Sequence, residues 1–193
     1  MSTPNFSDLS LFPTFATCPE DPSAHPTKPY YLLGQIKDDM TITKPTLVLS
    51  DRESSPFALV FDGLDRDGLD FKRAGLKKGH TAVIPDGRQV PPKEEGKRGF
   101  VSVEGARAGE VKGIPGPLEK VLRVALELRV REGEEGRCDV CAAAAEDVKL
   151  KKCTGCKGAS YCSKECQAAG WSKEGHKEAC GIIRAIKEIW PKK

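Results

Sequence analysis

Seven of the eight cysteines fall between positions 138 and 180, and with His176 they form four pairs. Two residues separate Cys138 from Cys141 and Cys153 from Cys156; three separate Cys162 from Cys166 and His176 from Cys180. A two-residue gap places two thiolates on one tight turn, within reach of one ion. A four-step offset places two side chains on one helical face. Eight nitrogen and sulfur donors fill two tetrahedral zinc sites and leave no open position, which is the pattern of structural rather than catalytic zinc. Four correctly spaced pairs in so short a segment are too many for chance burial of free thiols. Spacing alone leaves open whether the pairs combine sequentially or interleave.

The residues between the pairs are more specific. The run Cys138-Asp139-Val140-Cys141, Lys152-Cys153-Thr154-Gly155-Cys156, Ser160-Tyr161-Cys162-Ser163-Lys164-Glu165-Cys166-Gln167, Trp171 and His176-Lys177 to Cys180 resembles the MYND zinc finger over residues 138–180. The Tyr-Cys-Ser-x-x-Cys-Gln core and the Trp-x4-His spacing carry the resemblance. It implies cross-braced sites, with one zinc on Cys138, Cys141, Cys162 and Cys166 and the other on Cys153, Cys156, His176 and Cys180. It also implies a protein partner, because such modules bind short proline-containing peptides. By the same resemblance Gln167 and Trp171 form the groove, with Ser163 and Lys164 at its rim. Trp171 is expected beside the second zinc, and Tyr161 in the core.

A segment this short cannot build a self-sufficient core, so metal must supply its folding energy. Ile182, Ile183, Ile186 and Ile189 recur at helical spacing. Residues 181–193 are therefore expected to extend a helix begun at His176 and Cys180, its stripe packing on the rest of the protein.

Upstream, residues 116–132 read as one amphipathic helix, with Pro117 in its first turn and Gly133 as its stop. Residues 113–137 are thus helix and linker, the helix expected to pack on the domain before it. Residues 30–112 read as a small β-rich domain. Leu47-Val48-Leu49 and Phe57-Ala58-Leu59-Val60-Phe61 flank a turn-rich stretch, which predicts a hairpin. Further strands are expected over 30–36, 81–84 and 100–103. About five short strands suit a closed or half-closed barrel, because closure removes exposed edges. The strand order is OB-like; an SH3-like barrel or small sandwich fits nearly as well. Residues 1–29 hold six of the fourteen prolines and lack periodicity, so they are expected to be a disordered or loosely attached arm. The fold class expected is α+β, a β-rich domain with one amphipathic helix and a C-terminal two-zinc finger.

Composition narrows the function. The formal charge is +3, and seven thiolates with two divalent ions would cancel it, so no global charge argument favours nucleic acid. The N-terminus lacks a basic stretch followed by an apolar run, so no secretory signal is read and the expected location is cytosol or nucleus. No stretch approaches the roughly 20 apolar residues that a membrane helix needs. Some MYND fingers sit within SET-domain lysine methyltransferases, whose cofactor site uses an Asn-His pair. Asn5 is the only asparagine and precedes Phe6. His80 reads as a surface turn residue, His25 lies in the proline-rich segment, and Cys18 reads as a spectator thiol. The acidic run from Asp62 to Gly68 lacks calcium-loop spacing. No enzyme is expected. The alternative function is nucleic-acid binding by a basic face (Lys72, Arg73, Lys77, Lys78, Arg88, Lys93, Lys97, Arg98) with Phe57, Phe61, Phe71 and Phe100 as stacking groups. Against it, residues 1–137 carry 20 basic and 21 acidic side chains.

Overall fold

The computed structural model describes residues 3–22, 29–92, 94, 96–132, 136–173 and 175–191. It divides into two compact units, one of residues 6–121 and one of residues 1–5 with 122–193. His25, Lys93 and Gly133 lie outside the described residues.

The first unit is built on a seven-stranded sheet. Its strands are β1 (Tyr31–Asp39), β2 (Thr46–Ser50), β3 (Pro56–Asp62), β4 (Thr81–Pro85), β5 (Arg88–Val90), β6 (Phe100–Glu104) and β7 (Lys112–Ile114), in the order β5-β6-β3-β2-β1-β4-β7. The expected hairpin is β2 and β3, antiparallel, with Leu47 opposite Leu59 and Leu49 opposite Phe57. β3 and β6 are parallel, and the remaining pairs are antiparallel. The three-residue strands β5 and β7 were too short to leave a periodic signal.

Connectivity forces this sheet to curl. Four strands lie between β4 and β5 in the sheet, so a flat arrangement would hold them roughly 24 Å apart. Only Asp86 and Gly87 join them in the chain, a span of at most roughly 11 Å. The ends of the sheet must therefore approach each other at Gly87. There the Gly87 carbonyl accepts from the Tyr30 hydroxyl at 2.9 Å and from the Cys18 thiol at 3.1 Å. A Cβ on Gly87 would lie 2.7 Å from Ile84 and 2.8 Å from Val101, so only glycine fits this junction.

Alternate residues of the strands fill the inside of the curl. Leu32, Ile36, Leu47, Leu49, Phe57, Leu59, Phe61, Ile84, Val101 and Val103 form one buried cluster. Phe57 and Phe61 are thus core residues and cannot stack on a base; Phe71 and Phe100 are half-buried.

The proline-rich segment differs from expectation. Over its described residues from Phe6 onward it packs on the sheet unit rather than hanging free. Phe12 is fully buried and stacks on Phe6 at 4.5 Å, and Phe15 stacks on Phe57 at 5.1 Å. Main-chain bonds run from Tyr31 N to Leu11 O and from Gln89 N to Pro19 O, both 2.8 Å. Composition pointed to a loose arm, but three phenylalanines supply enough apolar area to hold an irregular segment down. Cys18 is buried with it, and burial pushes its thiol up to about 12, which keeps it inert.

Gly34 tests the packing inside the curl. A Cβ there would stand 2.9 Å from both Leu49 Cδ2 and Phe57 Cζ. Gly34→Ala should destabilise this unit by about 1–3 kcal/mol, since a tightly packed core resists an added methyl. Urea unfolding followed by far-UV circular dichroism checks it. Unchanged stability would show that the Leu49–Phe57 layer is loosely packed.

Candidate metal centre

The second unit contains most of helix α1 (Leu118–Val130), the short hairpin β8 (Lys151–Lys152) and β9 (Ser160–Tyr161), and helices α2 (Lys164–Ser172) and α3 (His176–Ile189). The hairpin pairs Lys151 with Tyr161 and Lys152 with Ser160. This brings the Cys153/Cys156 turn back beside Cys162. Ser163 caps α2, its hydroxyl accepting from Cys166 N at 3.1 Å. Cys162 therefore precedes the helix, and only Cys166 lies on it. α3 begins at His176 and continues without a break through the isoleucine stripe, of which Ile182, Ile183 and Ile186 are buried.

The eight donors fall into two groups: Cys138, Cys141, Cys162 and Cys166 in one, and Cys153, Cys156, His176 and Cys180 in the other. The first pair thus joins the third and the second joins the fourth. This interleaving is what the spacing left open. The donor atoms of each group lie within 4.8 Å of one another. Close approaches are 3.5 Å for the Cys141 and Cys162 sulfurs, 3.6 Å for Cys162 and Cys166, 3.8 Å for Cys153 and Cys180, and 3.6 Å from Cys156 Sγ to His176 Nε2. Four thiolates held about 2.3 Å from one zinc at tetrahedral angles would stand about 3.8 Å apart, so both groups fit the ion.

The electrostatics agree. Burial raises the Cys138 thiol, but the backbone N–H groups of Cys141, Val140 and Cys162 outweigh that and bring it down to about 6. Burial raises Cys153 likewise, and His176 with the N–H groups of Cys156 and Gly155 brings it to about 6. Hydrogen bonds with the Cys141 and Cys166 thiols push Cys162 up to about 12. Crowded sulfurs cannot all ionise unaided, and a divalent cation removes that conflict.

Three residues that the ligand pattern does not single out hold the frame. Asp139, inside the first Cys pair, exchanges bonds with Ser160: Asp139 N donates to Ser160 O at 2.9 Å, and Ser160 N donates to Asp139 Oδ2. Asp139 Oδ1 accepts from Arg131 Nη1 at 2.8 Å, which ties the first zinc turn to the end of α1. The same helix end meets the finger elsewhere, because Glu127 and Arg131 line a small cavity with Tyr161, Gly170 and Ile183. The helix was expected to pack on the β-rich domain; from Leu122 onward it groups with the finger, whose few apolar residues need that cover. Gly170 lets α2 close on the buried Tyr161 ring.

Of the expected groove residues, Ser163 is the cap, while Lys164, Gln167 and Trp171 are exposed on α2. Trp171 is 42% exposed, and its ring meets His176 edge-on at 5.8 Å between centroids. It thus stands beside the second metal group without being core. Gln167 and Trp171 are four residues apart on one helix, so they share a face.

The comparisons follow this geometry. Residues 138–180 match the family model of the MYND finger. A SET domain-containing protein 14 of Caenorhabditis elegans is 37% identical over 59 residues, which is 31% of this chain and 13% of that protein. The chain therefore spans only a small part of that relative's length. Residues 138–180 form a MYND zinc finger, a zinc-binding protein-interaction module.

Purified protein should contain about two zinc equivalents by elemental analysis, one per closed four-donor set. A value near one would refute the paired sites. Cys156→Ser should lose the metal and leave the strand signal of the β unit intact. Gly170→Ala supplies a second test. Alanine would gain about 1 kcal/mol of helix propensity, but its Cβ would lie 2.6 Å from Tyr161 Cε1. The clash should win, costing about 1–3 kcal/mol, and speed zinc transfer to a chromogenic chelator.

Proposed function

We propose that this protein is a non-enzymatic adaptor of the cytosol or nucleus. Its finger recruits a partner by holding a short proline-containing peptide against α2. The observation that carries this reading is the pairing of two closed metal sets with an exposed Trp171 and Gln167 on one helix face. Metal ligands saturated by the protein leave no position for substrate, so the zinc supplies rigidity rather than chemistry. Cys166 anchors the first turn of α2, and the ring of His176 backs Trp171. A flat indole held in place is a platform for proline, whose fixed backbone lowers the ordering cost of binding. The Gln167 amide can both donate to and accept from a peptide backbone. Lys164 stands at the helix start, exposed, as a rim residue.

We read the β unit as OB-like, a reading supported by the antiparallel neighbours β1, β2 and β3 and the parallel pairing of β3 with β6. Such a fold allows nucleic-acid binding, and Lys72, Arg73, Lys77, Arg88 and Arg98 are exposed. With Phe57 and Phe61 in the core, stacking is reduced to the half-buried Phe71 and Phe100. We therefore favour the adaptor.

Two experiments separate these readings. Against a pulled-down partner, Gln167→Ala should abolish binding with zinc content unchanged, and Trp171→Ala should do the same with some loosening of the finger. Unchanged affinity of Gln167→Ala would remove α2 from the interaction. Binding to single-stranded DNA or RNA at physiological salt should be no tighter than about 10 μM, the range of non-specific phosphate contacts. Sub-micromolar binding abolished by Lys77→Glu with Lys78→Glu would reverse the ranking.

A further inference from the structure

The zinc-finger unit holds a cavity of about 330 Å³ with an unusual lining. Among the described residues five cations line it: Arg131 just past α1, Arg137 before the first zinc turn, Lys152 on β8, Lys157 just after Cys156, and Lys187 on α3. Two carboxylates among the described residues, Glu132 and Asp139, oppose them. Asp139 is engaged by Arg131 and by Ser160 N. Lys187 Nζ donates to the Lys157 carbonyl at 2.9 Å, joining two walls. Arg137, Lys152 and Lys157 are exposed, and no carboxylate among the described residues pairs with them. Lys157 also holds a left-handed backbone (φ 52°), a position that glycine or asparagine fills at lower cost. None of Ser163, Lys164, Gln167 and Trp171 lines this cavity.

We propose that this cleft is a second docking site, which binds an acidic stretch of polypeptide with its carboxylates between Arg137, Lys152 and Lys157. Charge complementarity identifies the occupant. An arginine fork flanked by lysine ammoniums matches carboxylates through charge-assisted bonds. A nucleic-acid strand suits the lining less well. No aromatic ring lines it among the described residues, so a base has nothing to stack on. The volume is that of a few side chains rather than of a duplex.

The test uses zinc-loaded full-length protein and fluorescence anisotropy. The probes are a labelled oligoglutamate peptide and an oligothymidylate of equal charge, at low salt. The peptide should bind. Arg137→Glu with Lys152→Glu should weaken it about tenfold or more, as expected for reversing two contacting charges. Lys187→Glu, two helical turns past the last ligand Cys180 on α3, should weaken it in the same direction even if the double variant folds poorly. Lys72→Glu with Arg73→Glu, on the β unit, should leave it unchanged. Equal weakening by the β-unit pair would mean diffuse charge attraction and overturn the proposal. So would tighter binding of the oligothymidylate. Loss of zinc from both cleft variants would assign these cations to neutralising the zinc–thiolate sets and would also overturn it.

Discussion

Metal ligation across interleaved pairs is the interaction on which the finger depends. Residues 138–180 bury few apolar side chains apart from the ligands themselves, Ala159 and Tyr161 among them. Such a core cannot offset the conformational entropy of ordering some forty residues. Two zinc ions can, because each joins two turns that are distant in sequence and each contributes several kcal/mol or more of binding free energy to folding. Interleaving also makes the sites cooperative. The first site needs Cys162 beside Cys138, which the bonds between Asp139 and Ser160 of β9 bring about, and β9 pairs with β8, which leads into the Cys153/Cys156 turn of the second site.

The rest of the finger's geometry follows from that brace. Once Cys166 is fixed, α2 can lie in few orientations, and its contact with Tyr161 is possible only because residue 170 lacks a side chain. Once His176 and Cys180 are fixed, α3 starts at the metal and its isoleucine stripe turns inward. The outward face of α2 is then a rigid surface. Rigidity is what a short peptide needs from its receptor, since an ordered wall spares the complex one of the entropic costs of association. Arg131 and Asp139 extend the brace to the end of α1 and place one wall of the cationic cleft.

The β unit obeys a different constraint. Among its described residues no metal-ligand cluster is present, and it must remove its strand edges by curling. Its decisive feature is the two-residue junction at Asp86 and Gly87, which forces strands far apart in the sheet to meet. Packing inside the curl then depends on small residues at crowded points. Gly34 leaves room for Leu49 and Phe57, and Gly87 leaves room for Ile84 and Val101. The phenylalanines of the N-terminal segment cover the unit where the strands do not.

The sequence by itself determined the metal chemistry, because ligand identity and spacing are local and few other chemistries use eight such donors in pairs. It also determined the longer strands and the helices, whose periodicities of two and 3.6 are printed in runs such as Phe57–Phe61 and the isoleucines of α3. Tertiary structure decided what depends on contacts distant along the chain. It decided which cysteine pairs share an ion, since the Cys141 and Cys162 sulfurs, 21 residues apart, meet only where Asp139 bonds to Ser160 of β9. It decided that α1 from Leu122 onward covers the finger, because an apolar stripe does not name its partner. It decided that a proline-rich segment is held down by Phe6, Phe12 and Phe15. And it alone gathered Arg131, Arg137, Lys152, Lys157 and Lys187 around one cavity, because charges scattered between residues 131 and 187 have no pattern until the chain folds.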